Sequence, residues 1–162
     1  MNRRLLALAP TLVLLAACAS QPVQAPATAT VADTIARDPQ LSTLNALVER
    51  AGLTDTLKAA GPYTVFAPTN DAFATVPART MQELSADPAK LKSVLSYHVL
   101  PQRVTTAAMQ NGNTKTAEGG SIAVSRAGDF VTVEDAMVQT ADIGATNGVV
   151  HKVDRVLMPP RR

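Results

Sequence analysis

Apolar residues recur at helical spacing in two stretches of the first hundred positions. In residues 41–51, leucines and a valine repeat every three to four positions between polar residues, and the pattern stops at Gly52. A second stripe runs from about Pro88 to His98, with lysines and serines on the opposite side. The spacing predicts two amphipathic helices and places His98 on the buried side of the second.

Between these helices the pattern predicts three shorter elements. Residues 55–60 fit a helix that ends at Gly61-Pro62, and the apolar run 63–67 is typical of a buried strand. Pro68 is expected to end that strand. The side-chain oxygens of the next three residues can cap a helix over residues 71–76.

After Pro101 the chain changes to short runs rich in Val, Ile and Thr, separated by glycines. Residues 105–110 fit one or two helical turns, whereas residues 121–125 and 130–133 alternate between apolar and polar positions, as half-buried strands do. Helices come first and strands afterwards. We therefore predict an α+β fold whose strands form a meander or a sandwich.

The first 17 residues form a different kind of segment, in which two arginines precede an apolar run. As a helix, residues 5–17 would span roughly 20 Å, which is less than a bilayer core of about 30 Å, so the pattern favours a secretory signal. The run ends in Leu15-Ala16-Ala17-Cys18, which resembles a bacterial lipoprotein processing site. Cleavage is then expected between Ala17 and Cys18, with lipid on the Cys18 thiol. The alternatives are a buried free thiol and an intermolecular disulfide.

Residues 18–30 are uncharged and rich in Ala, Pro and Thr, a composition that cannot bury enough apolar surface to order itself. We predict a flexible tether that joins the lipidated cysteine to a folded domain over residues 31–160. Ala19 stands where an aspartate would favour retention in the inner membrane. The prediction is an exported, membrane-anchored lipoprotein that faces the periplasm or the cell surface, in the outer membrane if the source is Gram-negative.

Composition and charge exclude several classes of partner. The chain has no Trp, two Tyr and three Phe, so a base-stacking surface is not expected. Arg3 and Arg4 lie in the predicted signal, and without them the basic and acidic residues balance at 13 each. No block of Lys and Arg remains that could neutralise phosphates, and we predict no nucleic-acid partner. The glycine-rich motifs of nucleotide-binding loops are also missing from the sequence, and we predict no cofactor.

His151 and Asp154 raise the question of a catalytic or metal-binding pair. Asn147-Gly148 favours a tight turn, and the β-branched run after it favours a strand. In a strand an offset of three puts the two side chains on opposite faces, so they cannot converge on one proton or one metal. His98 and His151 could still meet in space, but a metal site would lack a third ligand with a recognisable spacing. We predict no metal site, no catalytic residues and two neutral core histidines.

Three segments in order resemble the fasciclin-type domain. The positions that carry the resemblance are Thr64, Phe66, Pro68, Thr69, Asn70, Asp71 and Phe73, then Tyr97 and His98, then Asn147, Gly148, His151 and Asp154. The resemblance covers residues from about 30 to 160. It implies a wedge-shaped α+β domain with a β-sandwich and a cluster of helices packed at one end.

The same resemblance implies a non-catalytic module, attached to the membrane by acylated Cys18, that mediates adhesion or binds a protein or matrix polymer. The family's Tyr-His motif, implicated in adhesion in animal members, falls on Tyr97 and His98. We expect both to be structural, because His98 lies on the apolar stripe. Two alternatives stay open: a periplasmic carrier of a small apolar ligand and, more remotely, a hydrolase with a histidine base.

Overall fold

The computed structural model describes residues 28–159. The predicted signal, Ala17, Cys18 and the tether up to residue 27 lie outside these residues, as does Pro160. The helices are α1 (Val31–Arg37), α2 (Ser42–Arg50), α3 (Thr54–Lys58), α4 (Asn70–Ala74), α5 (Ala78–Ala86) and α6 (Pro88–Tyr97), with a 3₁₀ helix (Pro39–Leu41) before α2. The strands are β1 (Tyr63–Pro68), β2 (Val99–Leu100), β3 (Gly112–Lys115), β4 (Ser121–Ala127), β5 (Phe130–Val133), β6 (Ala136–Ala145) and β7 (Gly148–Val153).

Four helices lie where the pattern predicts them, and two were not predicted. α2, α3, α4 and α6 differ from the predicted bounds by one or two residues, the usual uncertainty at helix ends. Residues 105–110 contain one hydrogen-bonded turn, the shorter of the two predicted possibilities. β1 is one residue longer than the predicted strand. Its last residue is Pro68, which pairs with Val153 of β7. α1 and α5 are additions to the prediction.

The two additional helices present weak periodic signals. α1 is short, and its apolar residues follow an Ala- and Thr-rich stretch without a break, but Thr30 and Asp33 form a capping box that defines its first turn. α5 buries only Leu84, with Met81 partly buried, so its apolar stripe is thin. In both cases packing against the rest of the domain selects the helix.

The seven strands form one sheet in the order β2-β1-β7-β6-β5-β4-β3. β1 and β7 are parallel, with Phe66 opposite His151, and all other neighbours are antiparallel. β6 pairs with β5 through its first two residues and with β7 through the rest, and the pairing with β7 has register shifts between Val138 and Ile143. The sheet therefore changes direction along β6 and folds back on itself.

Two apolar cores result from the alternation of side chains along β1 and β7. On one face Val65 and Val150 pack against the helices. On the other face Phe66 and Val153 pack against residues of β4 and β5, such as Ile122. The predicted α+β wedge with helices packed at one end is confirmed, and the strands of the predicted β-sandwich belong to one sheet that folds back on itself. Within residues 28–159 no helix is long and apolar enough to cross a membrane.

Candidate functional site

His98 is the C-cap of α6 and is 2% exposed. Leu157 donates its backbone N–H to Nε2 of His98 at 2.9 Å, which makes Nε2 the acceptor. Nδ1 therefore carries the hydrogen and donates it to the carbonyl of Val94 at 2.7 Å. Burial lowers the pKa of His98 to about 4. The ring is neutral and both of its nitrogens are occupied by backbone.

His151 uses the opposite tautomer in the centre of β7. The backbone N–H of Asp142 donates to Nδ1 at 3.1 Å, so Nε2 carries the hydrogen and donates to the carbonyl of Val104 at 2.9 Å. The ring stacks on Phe66 with centroids 5.6 Å apart and has no exposed surface. Burial lowers the pKa of His151, although the Val104 carbonyl and the Asp142 carboxylate oppose the shift.

These bonds leave neither histidine a free ring nitrogen. A general base and a metal ligand both need a lone pair that can reach a proton or an ion, and here that lone pair accepts a backbone N–H. Within the described part of the chain no three His, Cys, Asp or Glu side chains gather in a way that could hold a metal ion. Two buried imidazoles with satisfied nitrogens support packing and fold specificity.

Asp154 and His151 have separate partners. The carboxylate of Asp154 accepts the backbone N–H of Met137 at 2.7 Å, and the backbone N–H of Asp154 donates to the Met137 carbonyl. Asp154 thus connects the end of β7 to the start of β6 by hydrogen bonds. His151 faces the core of the folded sheet. The structure does not bring this pair together.

Tyr97 is 1% exposed and points into the core of the folded sheet. Its hydroxyl contacts the carbonyl of Ser121 at 2.9 Å and the carboxylate of Glu134 at 2.6 Å. Burial and the Glu134 carboxylate raise the pKa of Tyr97 well above its usual range. The structure therefore places both Tyr97 and His98 in the interior of the domain.

Asn147 and Gly148 join β7 to the helices. The Asn147 side chain accepts from the N–H of Val31 and donates to the carbonyls of Leu57 and Ala59, each at 2.8 Å. It thereby holds the start of α1 and the end of α3. A Cβ on Gly148 would lie 2.1 Å from the carbonyl oxygen of Tyr63, so only glycine fits there.

The early segment that carries the resemblance is also built into the interior. Thr69 caps α4 through its hydroxyl, and Phe73 of that helix packs in the helical core. Asn70 bridges to the 3₁₀ helix and α2, donating to the Pro39 carbonyl and accepting from the Thr43 N–H. Asp71 is the exposed member of this segment, in the first turn of α4, where its charge suits the helix dipole.

The hydroxyl of Thr64 is buried, but it reaches a loop that follows β2. It donates to the carbonyl of Gln102 at 2.7 Å and accepts the N–H of Val104 at 2.8 Å. His151 holds the Val104 carbonyl from the other side, as described above. Two residues that the resemblance singles out therefore fix the backbone of residues 102–104.

Two spaces in the molecule differ in size and polarity. A pocket in the helical core, between side chains such as Ile35, Leu57 and His98, measures about 10 Å³, too small for a ligand. An open groove of about 410 Å³ lies between residues 100–104 and 108–114. Its lining combines four amide side chains and an arginine with apolar residues such as Leu100 and Met109.

A protein-family model described as the Fasciclin domain matches residues 39–159, which is more than half of the chain. The chain belongs to the fasciclin domain family. This chain is 41% identical over 133 residues to Protein sll1483 of Synechocystis sp., and the match covers 81% of this chain and 74% of that protein. It is 36% identical over 135 residues to the cell surface glycolipoprotein MPB83 of Mycobacterium bovis, covering 80% of this chain and 60% of MPB83.

A solved structure has the same fold. The FAS1 domain pair from the insect cell adhesion molecule Fasciclin I matches with a TM-score of 0.60 at 23% sequence identity, over 73% of this chain and 45% of that chain. At that identity the likeness concerns the fold alone. It agrees with the α+β wedge described above.

The groove is the feature of this fasciclin domain that sequence reasoning missed. Its walls include the stretches Gln102-Arg103 and Gln110 to Asn113, where four of six residues carry an amide side chain and one carries a guanidinium. This density of amides is a usable signal. It does not show by itself that the two stretches face each other.

Proposed function

We propose that the chain is a lipid-anchored fasciclin module of the cell envelope or cell surface, which binds a protein or matrix polymer without catalysing a reaction. The observation that carries the proposal is the burial of both histidines with every ring nitrogen bonded to backbone. The surface of this domain then supplies its function through shape, hydrogen bonding and charge rather than through a reactive centre.

Anchoring is supported by the segment before the domain. Leu15-Ala16-Ala17-Cys18 ends an apolar run that begins after two arginines, and an uncharged stretch separates it from Thr30, which caps α1. Two or more acyl chains give stable membrane attachment, since each buried methylene contributes about 0.8 kcal/mol. The name of the relative MPB83, a cell surface glycolipoprotein, is in line with this placement.

Labelling with radioactive palmitate in the host tests the anchor. Wild-type chain should take up label and partition into detergent, whereas Cys18→Ser should do neither. Unlabelled wild type, or equal labelling of the two chains, would contradict the anchor. Protease treatment of intact and of permeabilised cells then distinguishes a surface location from a periplasmic one.

Binding is tested separately, with the full chain carrying Cys18→Ser so that lipid does not contribute. Immobilised on beads, it should retain a discrete protein or polymer from envelope extracts, and the same chain unfolded on the beads should retain none. Equal recovery on both supports, or no recovery on either, would count against a binding module.

A further inference from the structure

The groove between residues 100–104 and 108–114 lies at the place where the sheet fails to close. β2 and β3 are the two ends of the strand order, and the folding of the sheet along β6 brings them together. The N–H of Ala117 donates to the carbonyl of Val99 at 2.8 Å. Beyond that bond the two edges diverge, and the groove occupies the opening.

The hydrogen-bond pattern shows which backbone groups of β3 face the opening. Thr116 follows β3 directly and lies opposite Gly120, which precedes β4. The N–H of Thr116 donates to the carbonyl of Gly120, so these two form a hydrogen-bonded pair of the antiparallel ladder. In an antiparallel ladder such pairs alternate, which turns the N–H and C=O groups of Asn113 and Lys115 away from β4. The same alternation turns Ala117 outwards, as its bond to Val99 requires. Among the described residues, no hydrogen bond from another strand or loop reaches the backbone of Asn113 or Lys115.

The opposite wall of the groove is held rigidly from inside the domain. Thr64 and His151 fix residues 102–104, as described above. The N–H of Thr106 donates to the Asp142 carboxylate at 2.8 Å, and the Arg126 guanidinium donates to the Thr106 carbonyl at 2.9 Å. A wall fixed in advance lowers the entropy lost when a ligand binds.

The chemistry of the lining favours one class of ligand. The floor is apolar, formed in part by Leu100 and Met109, and the rim carries Gln102, Gln110 and Asn113, whose side chains form no hydrogen bond with another described residue. Amides can donate to and accept from a peptide backbone. Arg103 is exposed on the rim, and none of the described residues that line the groove carries a carboxylate.

We propose that the opening between β2 and β3 binds an acidic peptide in extended conformation, which adds a strand to the free edge of β3. Strand addition uses backbone hydrogen bonds for affinity and side-chain pockets for selectivity. The peptide's backbone pairs with Asn113 and Lys115, and one of its carboxylates pairs with Arg103. This inference rests on the proposed function, since it assigns the partner class and the surface of the binding module.

Fluorescence anisotropy with three peptides of about nine residues tests the proposal, using the full chain with Cys18→Ser. The first peptide alternates Thr and Glu, the second alternates Thr and Lys, and the third is the Thr-Glu peptide with a methyl group on every backbone nitrogen. The first should bind, and the second and third should bind at least about tenfold more weakly. The third keeps the charge but has no backbone N–H group to donate to β3. Equal binding of the first and third peptides, or no binding of the first, overturns the proposal.

Variants locate the binding. Arg103→Gln should weaken the Thr-Glu peptide about fivefold, the effect of losing one exposed ion pair worth about 1 kcal/mol. Arg79→Gln, which alters an exposed arginine on α5, should leave binding unchanged. In NMR spectra the peptide should shift the amide signals of Asn113 and Lys115. Unshifted β3 amides, or equal effects of the two variants, overturn the assignment.

Oligogalacturonate serves as a polyanion without a peptide backbone. If it binds more tightly than the Thr-Glu peptide and shifts the same amides, the groove is a site for acidic saccharides and the peptide proposal fails. These experiments test the peptide proposal independently of the lipid anchor and of the binding function. A failed peptide test leaves palmitate labelling and envelope recovery unaffected, and a failed labelling test leaves peptide binding unaffected.

Discussion

The imidazole of His98 links two segments that are 59 residues apart, because its Nε2 accepts the N–H of Leu157 while Nδ1 donates to the carbonyl of Val94. The ring thereby closes the end of the chain over the C-terminus of α6. Leu157 itself is buried in the core of the folded sheet. A residue that resembles a functional histidine in sequence is thus a neutral connector in the interior.

Acidification should destabilise the domain through this ring. The unfolded chain takes up a proton near the ordinary histidine pKa of 6.5, whereas folded His98 resists protonation down to about 4. The free energy of unfolding therefore falls as the pH drops from 6.5 to 4, by about 3 kcal/mol for this one group. His151, whose pKa is also lowered, contributes in the same direction.

Urea unfolding at pH 7 and at pH 4.5 measures this loss, and the titration of the imidazole protons by NMR assigns it. The two ring signals should stay constant through pH 6.5. A ring that titrates near pH 6.5 in the folded protein would contradict the neutral, backbone-bonded state. His98→Gln should lose stability at pH 7 but show a smaller pH dependence than the wild type.

Removing the side chain of Asn147 should destabilise the domain by about 2 to 3 kcal/mol. Asn147→Ala leaves three backbone groups without their partner, one of them the N–H of the fully buried Val31. Asn45→Ala is the matched control, because Asn45 makes a single exposed bond to Glu49 and alanine favours helix. Chemical denaturation of both variants should separate them clearly, and equal midpoints would contradict the role assigned to Asn147.

A methyl group at position 148 should be poorly tolerated. Gly148→Ala places Cβ 2.1 Å from the backbone oxygen of Tyr63, so β1 and β7 must separate, at a cost of about 3 kcal/mol or more. In Gly61→Ala the nearest atoms to Cβ belong to the Tyr63 side chain, at 3.1 Å, which can move aside, so the variant should cost less than about 1 kcal/mol. Thermal unfolding followed by circular dichroism should rank the two variants in this order, and the reverse order would count against the close approach.

Tyr97→Phe tests whether Tyr97 supports the stability of the domain or its binding to partners. The variant loses the hydroxyl that contacts Ser121 and Glu134, and its stability should fall by about 1 kcal/mol. Recovery of envelope partners should stay at the wild-type level, because the side chain is buried. Tyr63→Phe is the control, because the Tyr63 hydroxyl forms no hydrogen bond with another described residue. A variant that folds normally but recovers no partner would place Tyr97 in the binding surface after all.

Much of the fold follows from local signals in the sequence. The leucine stripe of α2 and the capping of α4 by Thr69 act over a few residues. The alternation along β7 likewise separates His151 from Asp154. α1 and α5 escaped prediction because their apolar stripes are short or thin, and contacts with distant segments select them.

The candidate site shows where local signals stop. The sequence was enough to find the fasciclin positions, because they lie in three segments in a fixed order. It also predicted the apolar surroundings of His98, because the helical spacing of apolar residues can be seen in the sequence. The tautomers of His98 and His151 depend on Leu157 and Asp142, which reach them only after folding. The groove depends on a sheet that folds along β6 and brings β2 and β3 together without closing. The sequence by itself determined which residues are apolar, capped or turn-forming, whereas long-range pairing decided which backbone groups stay buried and which remain free at an edge.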